Sequence, residues 1–364
     1  MRFISAMTTA ERAKALAHAA AAFPLLGRVT ADDLRETVRL ELGHEEILDG
    51  FRPYGSHFSR AFARTPLLHI VSGNTPHAAL QSLMRGLLLG AHNLVKIPSS
   101  GLPEVEAFLL RLPAALRNSV EVQRDLPPEW LTRAAAWIVF GSDETLAHFR
   151  RQARGDLIFE AHPHRVSLGL IFDDPGHLSA DRAARDVSLF AQKGCLSPHD
   201  FYVRGDARAY AARLAEEMAQ EEIRDPRGPV TTHEAAEIHN VRANYRFRAA
   251  SDARVHLWES ENSTAWTVIY EEDPWFASSC LNRVVFVKPL PDDLASALGP
   301  ARDWVGAVGI WPPTPDHAEI ALSLAPSRIC PVGKMQAPPL TWHQEGRQVL
   351  APLTRWVDFE PDIR

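Results

Sequence analysis

The sequence predicts an α/β protein in which a doubly wound parallel sheet is followed by a second α/β domain. From residue 66 onward, short apolar runs alternate with amphipathic segments, the pattern of parallel strands joined by crossover helices. Leu67–Val71 is nearly continuously apolar, as expected for a strand covered on both faces. The next segment carries an i, i+3, i+4, i+7, i+8 stripe typical of a helix, formed by Leu80, Leu83, Met84, Leu87 and Leu88.

The alternation continues along the chain. In the first half, strands are predicted at 93–98, 120–122, 136–140, 156–159 and 166–172, and helices at 103–110, 130–135, 143–154 and 181–190. In the second half, strands are predicted at 201–203, 266–270, 283–288 and 307–311, and helices at 206–222, 232–243 and 291–298. Before them, residues 8–50 predict two or three helices with capping signals at Thr8 and Thr30, and residues 50–57 a linker.

Composition excludes several classes of protein. A composition of 46% hydrophobic and 23% charged residues is typical of a soluble globular protein, and 364 residues are enough for two domains or for one large α/β unit with an appendage. The net charge of -6, without a basic run, argues against nucleic acid. We expect no membrane span, no secretion signal and no metal site. Three cysteines far apart fit a reducing cytoplasm, and apolar neighbours predict that Cys280 and Cys330 are packed.

Cys195 is the candidate nucleophile. It lies in the segment Gln192–Pro198, between a predicted helix and a predicted strand. We expect Gly194 to permit a tight turn before the thiol, and Ser197 with its following proline to mark a second turn or a helix start. Lys193 would favour the reactive thiolate. The alternative interpretation is a small residue that fills a gap in the core.

Three polar turns follow predicted strands, the position where ligands bind to an open α/β sheet. The first is Ser72-Gly73-Asn74, where Asn74 either donates to an oxyanion or caps the next helix. The second contains Lys96 and Ser99, which suit ribose hydroxyls or a phosphate, or else a solvated strand end. The third is Gly141-Ser142, where the start of a helix could hold a pyrophosphate, although the chain has no GxGxxG.

The order of these motifs resembles the aldehyde dehydrogenase superfamily, and more closely its bioluminescence-type (LuxC-like) acyl-CoA reductases. The resemblance covers residues 66–360 and rests on His69–Pro76, Asn93–Ser99, Phe140–Glu144, Gln192–Pro198 and three segments of the tail, Arg328–Gln336, Trp342–Arg347 and Leu353–Glu360. It implies an aldehyde-dehydrogenase-like fold with a Rossmann-type cofactor domain and a second α/β catalytic domain. We therefore expect N-terminal helices and the cofactor domain in residues 1–189, the cysteine domain in 190–340 and a tail in 341–364.

By this resemblance, Cys195 is the nucleophile and Asn74 the oxyanion donor. Lys96, beside Ser72 and Ser99, would contact the cofactor ribose, and Gly141-Ser142 its pyrophosphate. The expected cofactor is NADPH, with NADH left open. These roles and the preference for NADPH are what the family resemblance implies. No residue in the sequence distinguishes NADPH from NADH.

One segment departs from the pattern of the oxidative enzymes. Those enzymes carry a general-base glutamate in a Glu-Leu-Gly-Gly-Lys segment before the cysteine, and here the corresponding region, Phe159–Val166, lacks the glycines. Glu160, His162 and His164 are accordingly candidate pocket residues. A reductase does not need a base that activates water, so the departure favours reduction.

The resemblance predicts reduction of an acyl thioester, on coenzyme A or a carrier, to an aldehyde through a covalent Cys195 thioester. By analogy we also expect a cytoplasmic homodimer and an acyl-transferring synthetase as partner. Two alternatives stay open: an acyl-phosphate reductase of the same fold, and an acyl-holding subunit without turnover of its own.

Overall fold

The computed structural model describes residues 7–73, 76–176 and 178–361, and the chain divides into two compact units. Unit 1 comprises Met1–His164 and Pro339–Arg364, and unit 2 comprises Arg165–Pro338. The sequence suggested a first boundary at 189/190, but the chain crosses at 164/165. The physical reason is that residues 166–171 form a central strand of the second unit's sheet.

Unit 1 begins with two capped helices, as predicted. Thr8 and Glu11 form a capping box, and so do Thr30 and Asp33. The helices of its described residues are α1 (Thr9–Ala20), α2 (Ala31–Leu42), α3 (Pro76–Leu88), α4 (Pro103–Leu110), α5 (Ala114–Arg117), α6 (Pro128–Arg133) and α7 (Asp143–Gln152). The strands up to the crossing are β1 (Arg52–Tyr54), β2 (His57–Ala63), β3 (Leu67–Ile70), β4 (Asn93–Lys96), β5 (Val120–Gln123), β6 (Ala136–Phe140) and β7 (Ile158–His162).

The strands β3 to β7 form one parallel sheet in the order β5-β4-β3-β6-β7. The order reverses beside β3, as in a doubly wound fold. All four residues of β3 are buried. The polar one, His69, is satisfied because its Nδ1 lies 2.8 Å from Ser82 Oγ and its Nε2 lies 3.0 Å from Asn93 Oδ1. The predicted βαβ alternation of this unit is therefore confirmed.

Unit 2 carries a larger sheet. Its strands are β8 (Val166–Ile171), β9 (Pro198–Val203), β10 (Val255–Glu259), β11 (Thr267–Glu271), β12 (Val284–Pro289), β13 (Val305–Trp311) and β14 (Arg328–Pro331). Its helices are α8 (Ala180–Ser188), α9 (Ala207–Arg224), α10 (Thr232–Ser251), α11 (Leu294–Leu298) and α12 (Pro315–Leu322). The sheet order is β10-β11-β12-β9-β8-β13-β14, and only the pairing of β10 with β11 is antiparallel.

Two differences from the predicted elements bear on the site. Pro198 was expected in a turn or at a helix start, but it is the first residue of β9, where the missing N–H of proline is tolerated. The helix predicted at 181–190 ends at Ser188. The segment that carries the thiol is thus confined between α8 and β9.

Residues 50–57 were expected to be a linker, but they contain β1 and the start of β2. These strands form a three-stranded antiparallel sheet with β15 (Thr354–Phe359), in the order β1-β2-β15. The strand pairing joins segments far apart in the chain, which no local pattern reveals. Across the described ranges, no helix has the length and apolarity needed to cross a membrane.

Candidate functional site

The sheet of unit 1 brings its predicted site residues to one edge. Lys96 ends β4, Ser72 follows β3, Gly141 follows β6 and His162 ends β7. Because β4, β3, β6 and β7 are neighbours and parallel, their carboxyl ends lie side by side, where ligands of open α/β sheets bind. Ser99 is exposed just beyond the same edge. Asn74 lies outside the described residues.

Gly141 and Ser142 start α7 as the sequence suggested. Ser142 is the N-cap and accepts a hydrogen bond from the Thr145 N–H at 3.4 Å. A Cβ on Gly141 would lie 2.8 Å from Thr145 Cγ2, so the close approach of the first turn requires glycine. A hydrogen bond from Ser142 lowers the pKa of Glu144, which keeps a negative charge at this helix start. That charge opposes a second anion at the same amides.

Glu160 and His162 line a cleft whose other lining residues were not predicted from the sequence. The cleft is lined by Ser82, Arg85, Ile138, Glu160, His162, Gln344, Arg347, Gln348, Val349 and Leu353. Arg347 Nη1 lies 3.4 Å from Glu160 Oε2, and Arg85 donates to Gln344 Oε1 at 2.5 Å. The only sequence signal for Arg85 is that a charged residue interrupts an otherwise apolar helix. Gln344 and Arg347 lie in the tail segment that carries the family resemblance.

The two histidines of this region differ. His162 stacks on Phe140 with 4.3 Å between ring centroids. Burial, followed by the charges of Arg85 and Arg347, lowers the pKa of His162 to about 3, so the ring is neutral near pH 7. His164 is exposed beyond the end of β7 and does not line the cleft.

The segment before Cys195 has an unusual backbone. Phe190, Ala191 and Gln192 have φ values of 56°, 51° and 63°, a left-handed conformation that costs a non-glycine residue energy unless its surroundings impose it. Gln192 supplies part of that restraint. It is fully buried, donates to Pro198 O at 2.8 Å and accepts from Ser279 Oγ at 3.3 Å.

Gly194 is needed for a reason other than the expected one. Its φ lies outside the left-handed region, and the turn is made by the three residues before Lys193. A Cβ on Gly194 would instead lie 2.9 Å from Gln336 Oε1. Gln336 also holds the far side of the loop, since its Nε2 donates to Ser197 Oγ at 2.5 Å. Ser167 Oγ donates to Cys195 O at 2.9 Å.

The turn that carries Gln336 is held by a buried carboxylate on α8. Asp186 is 3% exposed and accepts hydrogen bonds from the N–H groups of Gly333 at 2.5 Å and Met335 at 3.1 Å. Burial raises the pKa of Asp186 to about 7, against the opposing effect of these hydrogen bonds. The thiol loop is therefore fixed by residues from β8, α8 and the turn after β14, and the thiol itself is partly exposed.

The expected role of Lys193 is not what the contacts suggest. Its ammonium lies 2.5 Å from Glu234 Oε1 at the start of α10, and this hydrogen bond is the largest of the effects that lower the pKa of Glu234 to about 2. The positive charge of Lys193 is thereby largely neutralised by a partner other than the thiol. This limits what it can add to thiolate stability.

The other two cysteines are packed, as expected. Burial raises the pKa of Cys280 and of Cys330 to about 11, so both thiols stay protonated near neutral pH. None of the three cysteines forms a disulfide. In the part of the chain that the structure describes, no group of three or more His, Cys, Asp or Glu side chains could hold a metal ion.

The fold is shared with solved aldehyde dehydrogenases. An oxidoreductase from Marinobacter aquaeolei superposes with a TM-score of 0.69 at 13% identity, covering 98% of this chain and 87% of that one. The NAD+ complex of an aldehyde dehydrogenase from Bacillus cereus superposes with a TM-score of 0.67 at 14% identity, covering 98% and 85%. At these identities the likeness establishes the fold alone, and it confirms the predicted aldehyde-dehydrogenase-like class.

Sequence comparison identifies the family. Long-chain acyl-protein thioester reductases from Photorhabdus luminescens, Vibrio harveyi and Photobacterium leiognathi are 26%, 22% and 20% identical over 47%, 70% and 90% of this chain. The matched regions span 38%, 55% and 70% of those relatives' own lengths. The model of the family described as acyl-CoA reductase (LuxC) matches residues 5–356. The chain therefore belongs to the LuxC family of acyl-CoA reductases.

Proposed function

We propose that this protein reduces an acyl thioester to an aldehyde through a covalent thioester on Cys195, with NADPH as the reductant. The observation that carries the proposal is the position of Cys195 in a loop restrained on both sides, in a chain of this family. The carrier is coenzyme A or an acyl-carrying protein. The relatives' names, acyl-protein thioester reductases, favour the second carrier.

The proposed chemistry uses the thiol twice. The Cys195 thiolate attacks the carbonyl carbon of the acyl thioester and forms a tetrahedral oxyanion, which Asn74 and a backbone N–H stabilise. The carbon–sulfur bond to the carrier then breaks, and the carrier thiolate leaves and takes up a proton. Because entering and leaving thiolates have similar pKa values, little acid–base assistance is needed.

Reduction of the acyl-enzyme completes the cycle. The reduced nicotinamide, when bound, supplies a hydride to the acyl carbon. The resulting thiohemiacetal loses its carbon–sulfur bond, which releases the aldehyde and restores the Cys195 thiolate. Water must be excluded meanwhile, since hydrolysis would discard the acyl group.

The carboxyl edge of the unit 1 sheet offers residues that suit a nicotinamide dinucleotide. Lys96 with Ser72 and Ser99 would bind the ribose, and Gly141-Ser142 would lie next to the pyrophosphate. What supports this assignment is their position at adjacent strand ends, where Ser99 and Ser142 are exposed and Ser72, Lys96 and Gly141 are half-buried. The negative charge of Glu144 would repel a pyrophosphate bound at this position.

The central test replaces the nucleophile. We expect Cys195→Ala to abolish both the acyl-enzyme, followed by intact mass, and cofactor oxidation with a panel of acyl-CoAs and NADPH or NADH. Cys280→Ala is the matched control and should keep both. Normal turnover by Cys195→Ala would refute the mechanism. A lasting acyl adduct without cofactor oxidation would favour an acyl-holding subunit, and turnover of acyl phosphates alone would favour the acyl-phosphate reductase.

A second substitution tests the oxyanion donor. Asn74→Ala should lower the rate of acyl-enzyme formation by roughly 10²–10³-fold, because one hydrogen bond to the developing oxyanion is lost. Stopped-flow release of the carrier thiol measures that step directly. An unchanged rate would rule out Asn74 as the oxyanion donor.

We further propose that the protein is a cytoplasmic homodimer that receives its acyl group from a synthetase partner. Support for the dimer comes from β15, an edge strand whose sheet exposes several aromatic side chains. An edge strand of this kind can pair with a second copy. Three cysteines without a disulfide suit a reducing compartment.

A further inference from the structure

The cleft of unit 1 combines cationic and hydrogen-bonding groups from three parts of the chain. Arg85 comes from α3, Glu160 and His162 come from β7, and Gln344 and Arg347 come from the segment before β15. Residues from a helix, a strand and the tail thus line one small cleft. Only Glu160 among these five carries a negative charge.

Arg85 is a partly buried cation that forms no ion pair with another described residue. Its one hydrogen bond goes to Gln344 Oε1, and no carboxylate of the described residues lies within 4 Å of its guanidinium. Burial lowers the pKa of Arg85 to about 10, and Glu41 offsets this only in part. The oxygens of Glu41 already accept the backbone N–H groups of residues 349–351.

The neighbours of Arg85 add donors. His162 Nδ1 is buried and has no hydrogen-bond partner among the described residues. Gln344 uses its oxygen for Arg85, which leaves its amide NH₂ as a donor. Arg347 is partly engaged, since its Nη2 donates to Ala161 O at 2.9 Å and its Nη1 faces Glu160.

The charges of the cleft do not cancel. Among the residues that line the cleft, Arg85 and Arg347 are positive, Glu160 is negative and His162 is neutral, so one positive charge remains, and Glu41, outside this lining, offsets it in part. Burying a cation whose charge is only partly compensated is costly. A guanidinium whose other N–H groups are uncommitted binds a planar oxyanion with two parallel hydrogen bonds.

We propose that this cleft binds an oxyanion of the substrate, held by the Arg85 guanidinium with Gln344 and His162 as further donors. The oxyanion is either a carboxylate at the far end of the acyl group or the phosphate of the carrier's pantetheine arm. Its assignment to a substrate rests on the proposed function. The binding of the oxyanion itself does not.

The first experiment measures binding without turnover. Inorganic phosphate and glutarate, each at about ten times its dissociation constant and at matched ionic strength, should raise the Tm of the unmodified protein by about 3 °C. Arg85→Met should abolish this shift. Arg111→Met, which removes an exposed arginine of the same unit, should keep it. An equal shift in all three proteins, or no shift in the unmodified one, would overturn the proposal.

A second variant covers the case in which Arg85→Met does not fold. Gln344→Glu supplies Arg85 with a carboxylate where the amide oxygen now lies, so the variant should fold and bind neither anion. A purely structural role for Arg85 predicts instead that Gln344→Glu leaves anion binding unchanged. That outcome would also contradict the proposal.

Kinetics then identify the source of the oxyanion. In Gln344→Glu, the KM for thioesters that carry it should rise about 10–100-fold, the effect of losing a hydrogen bond to a charged group, with kcat less affected. A rise confined to ω-carboxylated acyl groups, relative to uncharged ones of equal length, identifies the acyl carboxylate. A rise confined to phosphopantetheine thioesters, relative to N-acetylcysteamine thioesters, identifies the phosphate.

The two proposals fail in different ways. Unchanged KM values for all four substrate types would contradict the substrate role of the cleft. If the unmodified protein reduces no thioester at all, the proposed function fails, and the Tm shifts still decide whether the oxyanion site exists.

Discussion

Gly194 illustrates how a residue can be required by a neighbour rather than by its own backbone. Its φ is not left-handed, whereas Phe190, Ala191 and Gln192 before it are. What excludes a side chain at position 194 is the amide oxygen of Gln336, 2.9 Å from the place where a Cβ would lie. The nitrogen of the same side-chain amide donates to Ser197, so one glutamine restrains the loop on both sides of the thiol.

The contact between positions 194 and 336 predicts that the energetic cost of substituting Gly194 depends on Gln336. Gly194→Ala should lower the free energy of unfolding of unit 2 by about 1–3 kcal/mol, because the added methyl group overpacks a site with little room. Urea denaturation measures it. In a Gln336→Ala background the same change should cost less, since neighbouring substitutions are not additive. Equal costs in both backgrounds would show that Gln336 is not the obstacle.

At the scale of elements, α8 organises the site through the carboxylate of Asp186. It holds the turn at 333–335 from a buried position. A folded-state pKa near 7, above the unfolded value of 3.8, means that folding favours the protonated acid. The stabilisation is therefore complete below pH 4 and is lost as the pH rises towards 7.

Asp186→Asn tests this pH dependence. Relative to the variant, the unmodified protein should lose about 3 kcal/mol of unfolding free energy between pH 4 and pH 7, as the buried acid ionises. Denaturant melts across this range measure the difference. Asp181→Asn, at a partly exposed position of the same helix, serves as the control. Parallel curves for Asp186→Asn and the unmodified protein would contradict the raised pKa.

At the scale of the whole molecule, the sheet of β1, β2 and β15 exposes aromatic side chains on both of its faces and is a candidate interface. Tyr54 contacts Trp356 on one face, and Phe51 and Phe58 contact Phe359 on the other. These side chains and their exposed fractions are Phe51 (41%), Tyr54 (47%), Phe58 (37%), Trp356 (37%) and Phe359 (52%). Clustered exposed apolar surface marks an interaction site more often than scattered residues do. Within the described residues, β15 pairs on one side only.

We expect Trp356→Lys to convert the proposed dimer into a monomer, because a charge on β15 would be buried within this interface. Sedimentation equilibrium gives the mass. Phe247→Lys, at a position 80% exposed on α10, should leave the mass unchanged. A monomeric unmodified protein, or a dimer that persists in Trp356→Lys, would rule out this interface.

Much of the fold was accessible from sequence because helices and strands leave local periodic signatures. The strand at 67–70 and the stripe of α3 are of this kind, and the ends of parallel strands follow from them. The residues at the carboxyl edge of the unit 1 sheet could therefore be predicted. The hairpin at 52–63 could not, because its short, partly exposed strands carry no such pattern and depend on pairing with β15.

The sequence by itself determined the class of fold and the order of the strand-end motifs, and it is the source of the proposal that Cys195 is the reactive thiol, since each depends on patterns within short segments of the chain. Tertiary structure alone decided that Gln336 faces Gly194, that Lys193 pairs with Glu234, and that Arg85 meets the tail near Arg347. These contacts join residues between 41 and 262 positions apart. Their geometry arises only when distant segments pack together, so no local sequence pattern predicts them.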